Sequence, residues 1–185
     1  MGEMMRAFIA VEISEEARAE VARLQDNLQS AGADVKWVEP RNLHLTLKFL
    51  GEIDKRKLPT LTEALTRCVA AFAPFPFWLE GVGAFPRPEH PRVIWVGVSE
   101  GKENLIKLAQ AVEKVRNSLG FTTEERPFSP HLTIGRVRTH TRLEAVPFKT
   151  SEPTRVDRLV LFQSTLSPQG PRYTPVAMLL FRTGL

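Results

Sequence analysis

One cysteine, one tyrosine and four histidines are all that the 185 residues offer of three chemically versatile residue types. A lone cysteine cannot close a disulfide within the chain, which fits a reducing, cytoplasmic setting. Cys68 itself falls on the apolar stripe of a predicted helix and reads as core packing. No apolar run approaches the roughly 20 residues of a membrane helix, so no membrane association is expected. The opening Met1-Gly2-Glu3-Met4-Met5-Arg6 lacks the layout of a secretion signal. There is no H-x-x-x-H, no C-x-x-C, no clustered carboxylate pattern and no Gly-rich phosphate loop after a strand. Neither a catalytic metal nor a cofactor is therefore expected.

What is present is an ordinary globular composition, 43% hydrophobic and 25% charged, with a net charge of +4. That mild basic excess permits a polyanionic ligand without demanding one. The informative feature is a tetrapeptide that occurs twice, His44-Leu45-Thr46-Leu47 and His131-Leu132-Thr133-Ile134. Two of the four histidines thus begin the same pattern. Polar and aliphatic residues alternate, as on a strand buried on one face, so each copy presents an imidazole and a hydroxyl together on the other face. One imidazole can activate a nucleophile while a second protonates a leaving group. Two such units facing each other can flank a phosphate, as in-line displacement at phosphorus requires.

Apolar spacing places the motifs in a fold. A strand is expected over 6–12, then a helix capped by Ser14 with Ala17, Val21, Leu24, Leu28 and Ala31 on its inner stripe. A short strand over 35–38 precedes the first motif strand, which runs from His44 to about Leu50 and stops at Gly51. Helices are expected over 57–72 and 102–119. Residues 83–92, rich in proline, read as an irregular loop before a strand over 92–98. The second motif strand covers 131–138, followed by strands over 155–165 and 173–182. Hairpin-length links between several strands argue for antiparallel pairing with helices outside, an α+β fold. Residues 1–185 read as one domain of two intimate lobes about a pseudo-twofold axis, each giving one motif strand to a central cleft.

The pair of motifs, with Arg6-Ala7-Phe8-Ile9-Ala10-Val11, Asn42-Leu43, Pro127-Phe128-Ser129-Pro130 and Gly170-Pro171-Arg172-Tyr173, resembles the two-histidine phosphoesterases. Within them the chain is similar to the LigT-type RNA 2′,3′-cyclic phosphodiesterases, also called 2′-5′ RNA ligases. The resemblance implies a bilobal fold and an RNA substrate ending in a 2′,3′-cyclic phosphate. It also implies that His131 is the proton acceptor and His44 the proton donor, with Thr46, Thr133 and Arg136 on the phosphate. The residue types alone leave the two proton roles interchangeable. Reverse 2′-5′ ligation, a small cyclic nucleotide or ADP-ribose cyclic phosphate as substrate, and a non-catalytic RNA or nucleotide binder all stay open, and a monomer is expected.

Three further residues are weighed on position. Strand parity puts Lys48 on the face of His44 and Thr46, where it would add positive potential. Parity puts Arg136 on the wrong face, unless a bulge at Gly135 re-aims it. Phe8 resembles the aromatic that stacks a nucleobase in the family, and a core role fits it equally. Tyr173 is left without a role, and His90 and His140 read as surface residues.

Overall fold

The computed structural model describes residues 1–183. Its strands form two four-stranded antiparallel sheets. The first has the order β10 (Gly170–Leu180), β9 (Arg158–Ser167), β1 (Met4–Glu12), β3 (His44–Asp54). The second has the order β2 (Val35–Trp37), β7 (His131–Val137), β6 (His90–Val98), β5 (Leu79–Arg87). A short pair, β4 (Phe75–Phe77) with β8 (Thr154–Val156), lies apart from both. Three helices complete the fold: α1 (Glu15–Ser30), α2 (Leu58–Val69) and α3 (Lys102–Ser118).

Ser14 caps α1, its hydroxyl accepting from the Ala17 amide at 3.1 Å. The apolar stripe of that helix is buried from Ala17 through Leu28. The alternation read in both motifs is also realised. Leu45, Leu47, Leu132 and Ile134 are all buried, while His44, Thr46, His131 and Thr133 keep partial exposure.

Two expectations need correction. Gly51 does not stop β3, which runs on to Asp54. It stands at φ +68 beside a register shift opposite Ala7 and Phe8, so it bends the strand instead of ending it. Residues 83–92 are not a loop but most of the β5–β6 hairpin, with Pro86 opposite Pro91. Its prolines are tolerated because Pro86 lies near the end of an edge strand, Pro88 in the turn, and Pro91 ahead of Val93, where the pairing of β6 with β7 begins.

Helices α1 and α3 each brace the motif strand of the other half. From α1, Gln25 Nε2 donates to the Ile134 carbonyl at 2.9 Å and the Val38 carbonyl at 2.8 Å. From α3, the Glu113 carboxylate lies 3.3 Å from the Lys48 ammonium of β3.

Candidate active site

Both motif histidines are oriented in the same way. His44 Nδ1 donates to the Asn42 carbonyl at 3.0 Å, and His131 Nδ1 donates to the Ser129 carbonyl at 2.8 Å. In each case the acceptor is two residues upstream, in the segment that enters the strand. Pinning Nδ1–H settles the tautomer and leaves Nε2 as the nitrogen able to take up a proton. Asn42 is itself anchored, its side-chain amide donating to the Pro171 carbonyl at 3.0 Å.

Both motifs then bulge at the same place. On β3, Thr46 pairs with Ala10 and Lys48 with Ile9, leaving Leu47 as the extra residue. On β7, Thr133 pairs with Trp95 and Gly135 with Ile94, leaving Ile134 as the extra residue. A bulge reverses the alternation beyond it. Residues five after each histidine, Phe49 and Arg136, therefore join the face of the His and Thr. Phe49 is 63% exposed, and Arg136 is exposed as well.

The same bulge overturns the expectation for Lys48. It is turned inward, 4% exposed, with its ammonium 2.8 Å from Glu124 and 3.3 Å from Glu113. Arg116 Nη1 closes the cluster on Glu113 at 2.6 Å. Lys48 thus ties the first motif strand to α3 and to the segment that leads into His131, and it does not face the cleft. Arg136 is re-aimed by a bulge, as expected, with Ile134 as the extra residue and not Gly135 beside it. The glycine itself is demanded by close packing, since a Cβ there would meet Val35 Cγ1 at 2.4 Å.

The His, Thr and Arg136 side chains line one cleft of about 510 Å³ between the two sheets. Phe8 belongs to the floor of that cleft and is 4% exposed. One face of its ring stacks on Phe162 at 5.2 Å, and Tyr173 meets it edge-on at 4.9 Å. A ring so enclosed offers no open face to a base; the open aromatic is Phe49. Position in the chain did not reveal Tyr173, which lies 6.0 Å from the His44 ring. Burial raises the pKa of its phenol, so it remains a hydrogen-bond donor. Phe85 was missed together with its hairpin, and its ring meets His131 edge-on at 5.3 Å.

The histidines differ in surroundings. His44 packs at 4.5 Å against Phe162, and burial lowers its pKa to about 4. The Asn42 hydrogen bond opposes that fall, and the Arg18 charge adds to it. In the free protein His44 is thus neutral at neutral pH. His90 and His140 lie 5.3 Å from each other, outside the cleft lining. Among the described residues no group of three or more His, Cys, Asp or Glu is placed to hold a metal ion. No helix among them is long and apolar enough to cross a membrane.

The profile of the LigT like phosphoesterases matches the chain twice, over residues 11–95 and again over 96–173. The chain belongs to the LigT-like phosphoesterase family. The motif histidines sit at similar depths in the two matches, 33 positions in (44 − 11) and 35 positions in (131 − 96). The RNA 2′,3′-cyclic phosphodiesterase of Thermotoga maritima is 39% identical over 189 residues, spanning 98% of either protein. A crystal structure from Thermus thermophilus superposes with a TM-score of 0.85 at 32% identity, over 96% of this chain and 98% of that one. E. coli LigT in complex with 3′-AMP superposes with a TM-score of 0.83 at 26% identity, over 98% of this chain and all of that one.

Proposed function

We propose that this LigT-like phosphoesterase hydrolyses the 2′,3′-cyclic phosphate at RNA 3′ ends to a 2′-phosphate. One observation carries the reading. Two imidazoles, each with Nδ1 held by a backbone carbonyl, share a cleft with two threonines and an arginine that makes no ion pair among the described residues. The relatives bearing the name RNA 2′,3′-cyclic phosphodiesterase support the substrate class and disfavour a non-catalytic binder.

His131 takes the proton of the attacking water, and His44 gives a proton to the leaving 3′ oxygen. Thr46, Thr133 and Arg136 hold the non-bridging oxygens and stabilise the charge that grows on them. Burial keeps His44 neutral until an anion enters. A phosphate beside it favours the imidazolium, so bound substrate itself arms the acid. The two imidazoles supply both proton transfers, so no metal is needed. By microscopic reversibility the same groups can join a 5′-hydroxyl to the cyclic phosphate as a 2′-5′ linkage.

The cleft takes its reactive groups from both halves, so residues 1–185 act as one catalytic unit, and a monomer suffices. A chain with a single cysteine suits a cytoplasmic enzyme working on RNA. The test is to offer a short RNA with a 2′,3′-cyclic end, with and without EDTA, and to identify the product by phosphatase sensitivity and mass. A 2′-phosphate formed equally in both arms is expected. No turnover, or a 3′-phosphate product, would refute the reading.

A further inference from the structure

The cleft holds more positive charge than the reacting phosphate uses. Arg6, Lys36 and Arg136 line it, and none makes an ion pair among the described residues. Lys36 is the cross-strand partner of Arg136, so these two serve one end of the site. Arg6 belongs to the other sheet. It stands on β1 four residues before Ala10, the partner of Thr46. Four strand residues span roughly 13 Å, too far for the Arg6 and Thr46 side chains to share one phosphoryl group without stretching across what lies between.

What lies between is aromatic. Phe8 pairs with Phe49 on one side and Phe162 on the other, and Tyr173 stands edge-on over Phe8. Beyond that row, Arg6 is flanked by Ser164, and Tyr173 pairs with Ser164 on the next strand. Glu52 is the register partner of Arg6 on β3, yet its carboxylate is not within ion-pair distance. Tyr173 lines the same cleft as Arg6 and Arg136. Along the cleft the order is imidazoles and threonines, then aromatic rings, then an uncompensated guanidinium with hydroxyls. That order matches a nucleotide whose sugar and base cover the rings and whose two phosphate groups lie at either end.

We infer that Arg6, with Ser164 and Tyr173, forms a second subsite that binds the phosphate on the 5′ side of the nucleotide bearing the cyclic phosphate. The inference rests on the cyclic phosphodiesterase reading and refines it: the preferred substrate is an RNA end or a 5′-phosphorylated nucleotide, not a bare nucleoside cyclic phosphate. A guanidinium is suited to this task, being always charged and able to grip two phosphate oxygens.

The test compares product-like ligands that differ only at the 5′ position. Binding of adenosine 2′-phosphate and of adenosine 2′,5′-bisphosphate is measured by calorimetry to the full-length protein and to Arg6→Gln. A charge-assisted contact gives the bisphosphate an advantage of about tenfold or more in wild type. Arg6→Gln reduces that ratio to about one, and Arg6→Lys retains part of it. Equal affinities in wild type would overturn the inference, as would an Arg6→Gln protein that keeps the ratio. So would a variant that weakens both ligands equally, because Arg6 would then serve the reacting phosphate. Arg6 is exposed, and thermal unfolding confirms that its variants fold. Hydrolysis of a short RNA ending in a 2′,3′-cyclic phosphate is assayed on the same protein. No hydrolysis with the binding contrast intact would remove the phosphodiesterase reading and leave the subsite standing.

Discussion

The strands β3 and β7 are two versions of one device, and their differences divide the labour of the site. Both begin with a histidine pinned through Nδ1, both bulge one residue after the threonine, and both re-aim the side chain at the fifth position. That side chain is Phe49 on β3 and Arg136 on β7. The first sheet therefore offers an aromatic surface where the second offers a charge. His44 is packed among Phe162 and Tyr173, whereas His131 meets Phe85 edge-on at the hairpin that forms the sheet edge. The supports differ too. Gln25 holds the β7 bulge with neutral hydrogen bonds, and the Lys48–Glu113–Arg116 cluster holds β3 with charge. A duplicated frame has kept its geometry and diverged in what it displays.

The largest break in that comparison is at the imidazoles, where the halves should be equivalent. His44→Ala and His131→Ala are each expected to cost about 10²–10⁴-fold in kcat with folding preserved. Turnover near wild type in either variant would end the two-histidine mechanism. The fifth positions should separate instead. Arg136→Met removes the group proposed to stabilise developing charge and should lower kcat about 10²–10³-fold. Phe49→Ala should mainly raise KM, about tenfold, by removing a stacking face. Single-turnover kinetics distinguish them, and identical kcat losses would erase the proposed division.

The burial of His44 sharpens the contrast through pH. Its folded pKa, about 4, lies below the reference value of 6.5. The stability linked to its neutral form is fully present above about pH 6.5 and is lost progressively as pH falls from there through 4. The loss is at most about 3 kcal/mol, reduced because the ring is partly open to the cleft. Urea unfolding of His44→Gln against wild type at pH 7 and pH 4 should show the difference narrowing in the variant. Inorganic phosphate should raise the His44 pKa in an NMR titration, and an unmoved resonance would remove substrate charge as the source of the acid.

The smallest effects belong to the braces. Lys48→Met leaves Glu113 with Arg116 as a cation and Glu124 free to turn to water, so about 2 kcal/mol of stability should be lost. Gln25→Leu leaves the Ile134 carbonyl with the Val38 amide, at 3.0 Å, and should cost about 1 kcal/mol. Chemical denaturation measures both, and a reversed order would mean that the charged cluster contributes less than the amide.

Alternation and repetition were enough to determine the motif strands, the buried Leu45, Leu47, Leu132 and Ile134, the α+β class and the two imidazoles, because each depends on spacing within a few residues. Ser14 as a helix cap is of the same kind. Strand parity failed at Lys48, and it would have failed at Arg136 without the bulge that Gly135 suggested. A bulge depends on pairing with another strand, here Ala10 and Ile9 for β3 and Trp95 and Ile94 for β7, and a sequence read along one strand carries no record of its partner. The proline-rich segment over 83–92 misled for a related reason, since proline is a breaker only where a ladder bond is needed, and Pro86 near the end of an edge strand, Pro88 in the turn and Pro91 ahead of the β6–β7 pairing avoid that need. Arg6 and Tyr173 stand in segments that carry the family resemblance, but nothing along the chain showed what their side chains do, and Phe85 had no signal of either kind. They come from strands distant in the chain, so only the tertiary packing of the two sheets decided that Arg6 and Tyr173 would line the cleft and that Phe85 would meet His131.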